Sequence, residues 1–204
     1  MPREKRKLKM EFTLKGRIIF FATNNFHKFN EARRVLTQYK IAVGMLRVKA
    51  LEIQSDKLSD IAQSSALDAF ERCRLPLIVE DAGLFVNELK GFPGPYAAYV
   101  YQTVGNAGLL KLLKGVNDRK ATFRSAIAYH DGAGSTVLFE GEATGEIINE
   151  ERIGNDRSGF GFDPIFQPDG STKTFAEMTL EEKNGFSHRA NAISKFAKWY
   201  KTLK

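Results

Sequence analysis

The stretch "RIIFFATNNFHKFNEARRVLTQ", Arg17 to Gln38, carries the pattern on which the fold turns. Its first six residues form a short apolar run rich in Ile and Phe, the mark of a buried strand. Thr23-Asn24-Asn25 break that run, and Phe29, Ala32, Val35 and Leu36 then recur at helical spacing. The order predicted is strand, polar turn, helix. Further along, Leu58, Ile61, Ala62, Ala66 and Phe70 keep a rough helical period between Asp56 and Leu75, where Pro76 supplies the stop. "LIVE", Leu77 to Glu80, reads as the next strand, with Gly83 letting the backbone turn after Asp81. Gly105 to Lys114 reads as a short helix closed by Gly115. Ala121 to Ile148 is β-rich around Asp131-Gly132, a hairpin signal, and Ile193, Phe196, Ala197 and Tyr200 mark one face of a last helix. Helices interleaved with strands, then a hairpin, predict an α/β fold with a mixed central sheet flanked by helices.

With 204 residues and 43% apolar content, the chain is expected to form a single domain over 16–204, preceded by a basic N-terminal arm over 1–15. The net charge of +7 is uneven: seven basic against two acidic residues give +5 in the first 17 positions, leaving +2 for the rest. That is a basic arm on a nearly neutral domain, which counts against a nucleic-acid-binding face. No apolar run approaches the roughly 20 residues of a membrane span. A lone Cys73 excludes an intrachain disulfide framework. With no signal-peptide pattern and no N-x-[ST] sequon, a cytoplasmic location is expected. Neither G-x-G-x-x-G nor G-x-x-x-x-G-K-[ST] is present.

Four polar islands bear on chemistry. Thr23 to Lys28 opens a helix, where free N–H donors and the macrodipole favour an anion; Asn24 or Asn25 would equally serve as a plain cap. Glu52, between Leu51 and Ile53, points by strand alternation toward water. Glu80 and Asp81 should face opposite sides of their strand, so at most one belongs at the centre of a site. Asp81, at a strand's C-terminal end, has the better position, and a carboxylate without Cys or His nearby suits Mg²⁺. Phe160 and Phe162 flank Gly161 before Asp163-Pro164, and such rings either stack on a base or fill a core. Ser187 can cap the last helix, leaving His188 and Arg189 in its first turn, where the dipole disfavours cations unless they face an acceptor-rich ligand. Lys183 adds another donor.

Together, "FATNNFHKFNEARRVL", "LEIQ", "VEDAGLFVNELKGFPGPYAAYV" and "SGFGFDPIFQPDGSTKTFAEMTLEEKNGFSHR" resemble the inosine triphosphate pyrophosphatase, or Ham1-like, family from Arg17 to the C-terminal helix. The resemblance implies a two-lobed α/β fold with a deep active-site cleft, a homodimer, and Mg²⁺-dependent hydrolysis of non-standard purine nucleoside triphosphates (ITP, dITP, XTP) to the monophosphate and pyrophosphate. It assigns Thr23, Asn24, Asn25, Phe26, His27 and Lys28 to the phosphates, and Glu52 and Asp81 to Mg²⁺, with Asp81 also the base that activates water. Phe160, Gly161, Phe162 and Asp163 would form the base-binding loop, with Lys183, His188 and Arg189 completing the purine pocket. A donor from Arg189 or His188 would favour a purine O6. Two departures stand out: Ala82 replaces the family's usual Ser or Thr, and Asn24 replaces a Gly, which a positive φ would tolerate. A pyrophosphatase for modified pyrimidine nucleotides and a nucleic-acid-binding module using the arm are the alternatives.

Overall fold

The computed structural model describes residues 18–154 and 159–203; the basic arm 1–15 and Ser158, at the head of the aromatic loop, lie outside the described residues. The opening strand and helix form as expected, β1 over Ile18–Ala22 and α1 over Phe26–Gln38. Asn25 is the cap, its Oδ1 accepting from the N–H groups of His27 (2.9 Å) and Lys28 (3.1 Å). Asn24 is not among the residues with positive φ, so its replacement of glycine needs no left-handed backbone. After β2 (Ala42–Leu46), α2 (Leu58–Cys73), β3 (Leu77–Val86) and β4 (Pro93–Gly94) come the short helices α3 (Ala97–Thr103) and α4 (Gly105–Leu112). The hairpin predicted around Asp131-Gly132 is β5 (Lys120–His130) with β6 (Val137–Ile147); β7 (Phe166–Pro168), α5 (Leu180–Phe186) and α6 (His188–Tyr200) complete the described chain.

The seven strands make one mixed sheet in the order β2-β1-β3-β5-β6-β7, with β4 also on β3. β2, β1 and β3 run parallel, and the remaining pairings are antiparallel. Side-chain alternation sorts the core. Ile19, Phe21, Ile78 and Ile127 face α1 and α6, whereas Ala22, Val79, Ala126 and Ala128 face α2. A third cluster gathers Leu84, Val86, Phe123 and Ile147 with residues of α3 and α4, giving the fold its second lobe.

β3 departs from the expected strand end. It does not turn after Asp81 but pairs with β5 in unbroken register from Leu77↔His130 to Val86↔Ala121. Gly83 has a different job: a Cβ there would fall well inside contact distance of the Gly94 carbonyl oxygen, so glycine is what lets β4 lie against β3. Gly83→Ala should therefore cost about 1–3 kcal/mol, the range for overpacking. The fall in urea midpoint measures it, with Gly134→Ala as control, because a Cβ at Gly134 meets open space.

On its other edge β3 pairs with β1 only at Leu77 and Ile78, and with β4 only at Leu84 and Phe85. Between those contacts the edge is open. Residues 79–83 therefore form the floor of a cleft between the two lobes.

Candidate active site

A cleft of about 680 Å³ lies against this open edge. It is within the size range of small-molecule sites. Its walls bring together Thr23, Asn24, Asn25, His27, Lys28, Glu52, Asp81, Ala82, Phe160, Gly161, Phe162, Asp163, His188 and Arg189. Two residues of the expected set stand elsewhere: Phe26 is 60% exposed and does not line the cleft, and Lys183 is buried behind it. Glu52 reaches the cleft from an irregular segment between β2 and α2, so strand alternation does not govern where it points.

Glu80 and Asp81 do face opposite sides of β3, and although both residues border the cleft, only Asp81 keeps its carboxylate outside the ion pairs; the Glu80 side chain is fully buried among cations. The open edge gives them access. Lys28, on the first turn of α1, reaches around it and donates to the Glu80 carbonyl (3.3 Å) while pairing with Glu80 Oε2 at 2.9 Å. From the α6 side Arg189 Nε donates to Glu80 Oε1 (3.0 Å), as does Ser125 Oγ (2.8 Å). Arg189 also pairs with Glu31 of α1. Lys183 Nζ then bridges Glu31 Oε1 and Asp163 Oδ2, each at 2.7 Å. The result is a buried line of alternating charge, Lys28, Glu80, Arg189, Glu31, Lys183, Asp163, that ties α1, β3, α5, α6 and the aromatic loop together.

This line corrects the reading of the last helix. Ser187 does cap α6, its Oγ receiving the Ala190 N–H. Arg189 in the first turn is compensated by Glu31 and Glu80, and these two carboxylates, outweighing burial, hold its guanidinium charged. His188 is not a second cation: burial, aided by Arg189, pushes its imidazole well below the usual range, so it is neutral. It lies flat on Phe123 (4.8 Å, 9°), and its buried Nδ1 has no hydrogen-bond partner among the described residues. Lys183, despite burial, is held protonated by Asp163 and Glu31.

Asp81 is a different kind of carboxylate. Burial, helped by the charges of Glu80 and Glu52 and opposed by Lys28 and the Ala82 N–H, lifts it to about 6. Its Oδ2 is buried with no hydrogen-bond partner among the described residues. A carboxylate kept out of the ion-pair line, unsatisfied, and close enough to Glu52 to feel its charge fits a hard divalent cation, which would supply the missing partner. A group of three such ligands does not occur among the described residues. Glu52 and Asp81 would therefore leave most coordination positions to water or phosphate oxygens, the usual habit of Mg²⁺.

Glu31 and Ser125 are the parts sequence reasoning missed, together with the ion pairs that hold Glu80. Glu31 had a signal: it follows Lys28 by three residues on the stripe that continues through Ala32 and Val35, so an acid lies on a helix's buried face.

The fold, the cleft and the charge pattern agree with what comparison shows: the chain belongs to the Ham1 family, whose model matches residues 19–199. It is 48% identical over 183 residues to a protein of Methanopyrus kandleri named dITP/XTP pyrophosphatase, covering 90% of this chain and 96% of that one. A Thermococcus kodakarensis protein of the same name is 48% identical over 181 residues, 89% and 96% of the two chains. Among solved structures, the Ham1 protein of Staphylococcus aureus superposes with a TM-score of 0.77 at 29% identity, covering 92% of this chain and all of that one. A HAM1 protein from Coxiella burnetii gives 0.78 at 27% identity with the same coverage. No helix among the described residues is long and apolar enough to cross a membrane.

Proposed function

We propose that the protein hydrolyses non-standard purine nucleoside triphosphates, ITP, dITP and XTP, to the monophosphate and pyrophosphate. The observation that carries this reading is the joining, in one cleft, of a capped helix N-terminus with a lysine, two carboxylates outside the buried ion-pair line, and an aromatic loop beside a neutral histidine. The relatives named dITP/XTP pyrophosphatase support it. The phosphates lie at the start of α1, where Lys28 and the helix dipole offset their charge. Asp81 orients water and takes its proton. Glu52 and Asp81 hold Mg²⁺, which when bound neutralises phosphate oxygens. The base enters the lobe bounded by Phe160, Gly161, Phe162 and His188.

Selectivity falls to the donors of His188 and Arg189, the latter through Nη2, since its Nε and Nη1 are committed to Glu80 and Glu31. Such an N–H donates to a purine O6 but meets a donor in adenine's amino group, and an unpaired buried donor is costly. The same reading carries a homodimer, for which the exposed Tyr96, Tyr99 and Val104 around α3 offer apolar surface. A substrate panel with Mg²⁺ tests the function: turnover of ITP and XTP should exceed that of ATP by about 100-fold or more, as expected when a buried polar group is left unpaired. Equal rates, or a preference for modified pyrimidines, would sink it.

A further inference from the structure

Phe160 is the ring on which a purine would stack, but in this structure its surface is already taken. Lys183 Nζ and Arg189 Cζ, both buried, lie over it at 5.0 and 5.5 Å from the centroid. From the solvent side the exposed imidazole of His27 stacks on it, with centroids 5.1 Å apart and planes 19° from parallel. The interior cations belong to the ion-pair line and cannot leave without breaking it. His27 is under no such restraint: its backbone is pinned by the Asn25 cap, but its side chain sits at the cleft rim on the second residue of α1. The resemblance placed His27 with the phosphates. The geometry places it with the base.

We propose that His27 is a gating residue of the base site: it occupies the solvent-side face of Phe160 in the free protein and must swing away before a purine base can stack there. It rests on the function proposed above and deepens it, since it makes base affinity a competition between two stacking partners for one ring. A site that is competent only when His27 has left binds its ligand more weakly by the fraction of time the ring is free. An imidazole stack on phenylalanine belongs to the class of aromatic pairs whose strength corresponds to roughly a 2- to 12-fold change in an equilibrium constant. A base that stacks better than imidazole displaces it readily. That fraction is the same for every base that stacks on Phe160, so His27 sets the affinity of the site without changing its ranking of bases.

The test uses the full chain and two variants that should move in opposite directions. His27→Ala removes the competitor and is expected to lower KM for ITP by roughly 2- to 10-fold, the range set by such stacks. His27→Trp strengthens the competitor and should raise KM. Inosine, which carries no phosphate, is the second probe: as a competitive inhibitor it should bind the Ala variant more tightly by the same factor. A phosphate contact made by His27 predicts the reverse for ITP and no change for inosine, and either result overturns the proposal. So does a KM that both variants leave in place. Absence of ITP turnover by the wild-type protein would overturn the function it rests on and this inference with it, whereas wild-type turnover with unmoved variants removes the inference alone.

Discussion

Asp81→Asn is expected to lower kcat for ITP by about 10²- to 10⁴-fold, the usual contribution of a positioned general base, and to leave the fold intact. The carboxylate is the only one of the pair Glu80-Asp81 outside the buried ion-pair line, so its removal strands no cation. The sign of the stability change follows from its titration. Asp81 is raised from 3.8 to about 6 by burial and by its acidic neighbours, so above pH 6 the folded state carries a charge it would rather not hold. An uncharged amide of the same shape relieves that cost. The urea midpoint at pH 8 should therefore equal or exceed that of the wild type while activity collapses. Near wild-type kcat would remove Asp81 from catalysis, and a lowered midpoint would show that its role is structural.

Glu31→Ala is expected to do the opposite, destabilising the fold through a residue that does not line the cleft. Glu31 receives both Arg189 and Lys183 in the interior. Without it two buried cations share the remaining carboxylates, and breaking a buried pair in this way costs about 3–5 kcal/mol. The loss should appear as a lowered urea midpoint with unchanged m-value. Acid reaches the same linkage by another route. Burial alone would raise Glu31, but the Arg189 guanidinium and Lys183 ammonium outweigh it and lower it from 4.5 to about 2. A folded-state value below the unfolded one gives stability that is complete above pH 4.5 and is lost as pH falls toward 2, roughly 3 kcal/mol at the limit. Glu31→Ala should flatten that limb of the stability curve. A variant as stable as wild type, with the acid limb unchanged, would show that the line of charges does not hold the lobes together.

The two substitutions also show which parts of the molecule local sequence could reveal. α1 was legible to its ends because Phe29, Ala32, Val35 and Leu36 announce a buried face and Asn25 is a cap whose function needs only the next three residues. The β5-β6 hairpin was legible from Asp131-Gly132 between two β-rich runs, although the strands are joined by a six-residue loop over 131–136 rather than by a tight two-residue turn. β3 was legible at its start but not at its end: two adjacent acids resemble a strand's end until their partners are known, and Arg189 lies 109 positions from Glu80. Gly83 is likewise explained by Gly94, which reaches it only after the chain has folded back. Glu31 and Lys183, 152 positions apart, meet because α1 and α5 are brought together over the same lobe. The resemblance supplied most of the cleft's residues without these distances. What it could not supply is which of them face the cleft and which, like Lys183, support it from behind.

Phosphorus NMR of the wild-type protein with ITP and Mg²⁺ follows the reaction itself. Inosine monophosphate and pyrophosphate should appear in equal amounts from the first turnover, with no diphosphate intermediate. Orthophosphate and inosine diphosphate as the first products would contradict the proposed reaction.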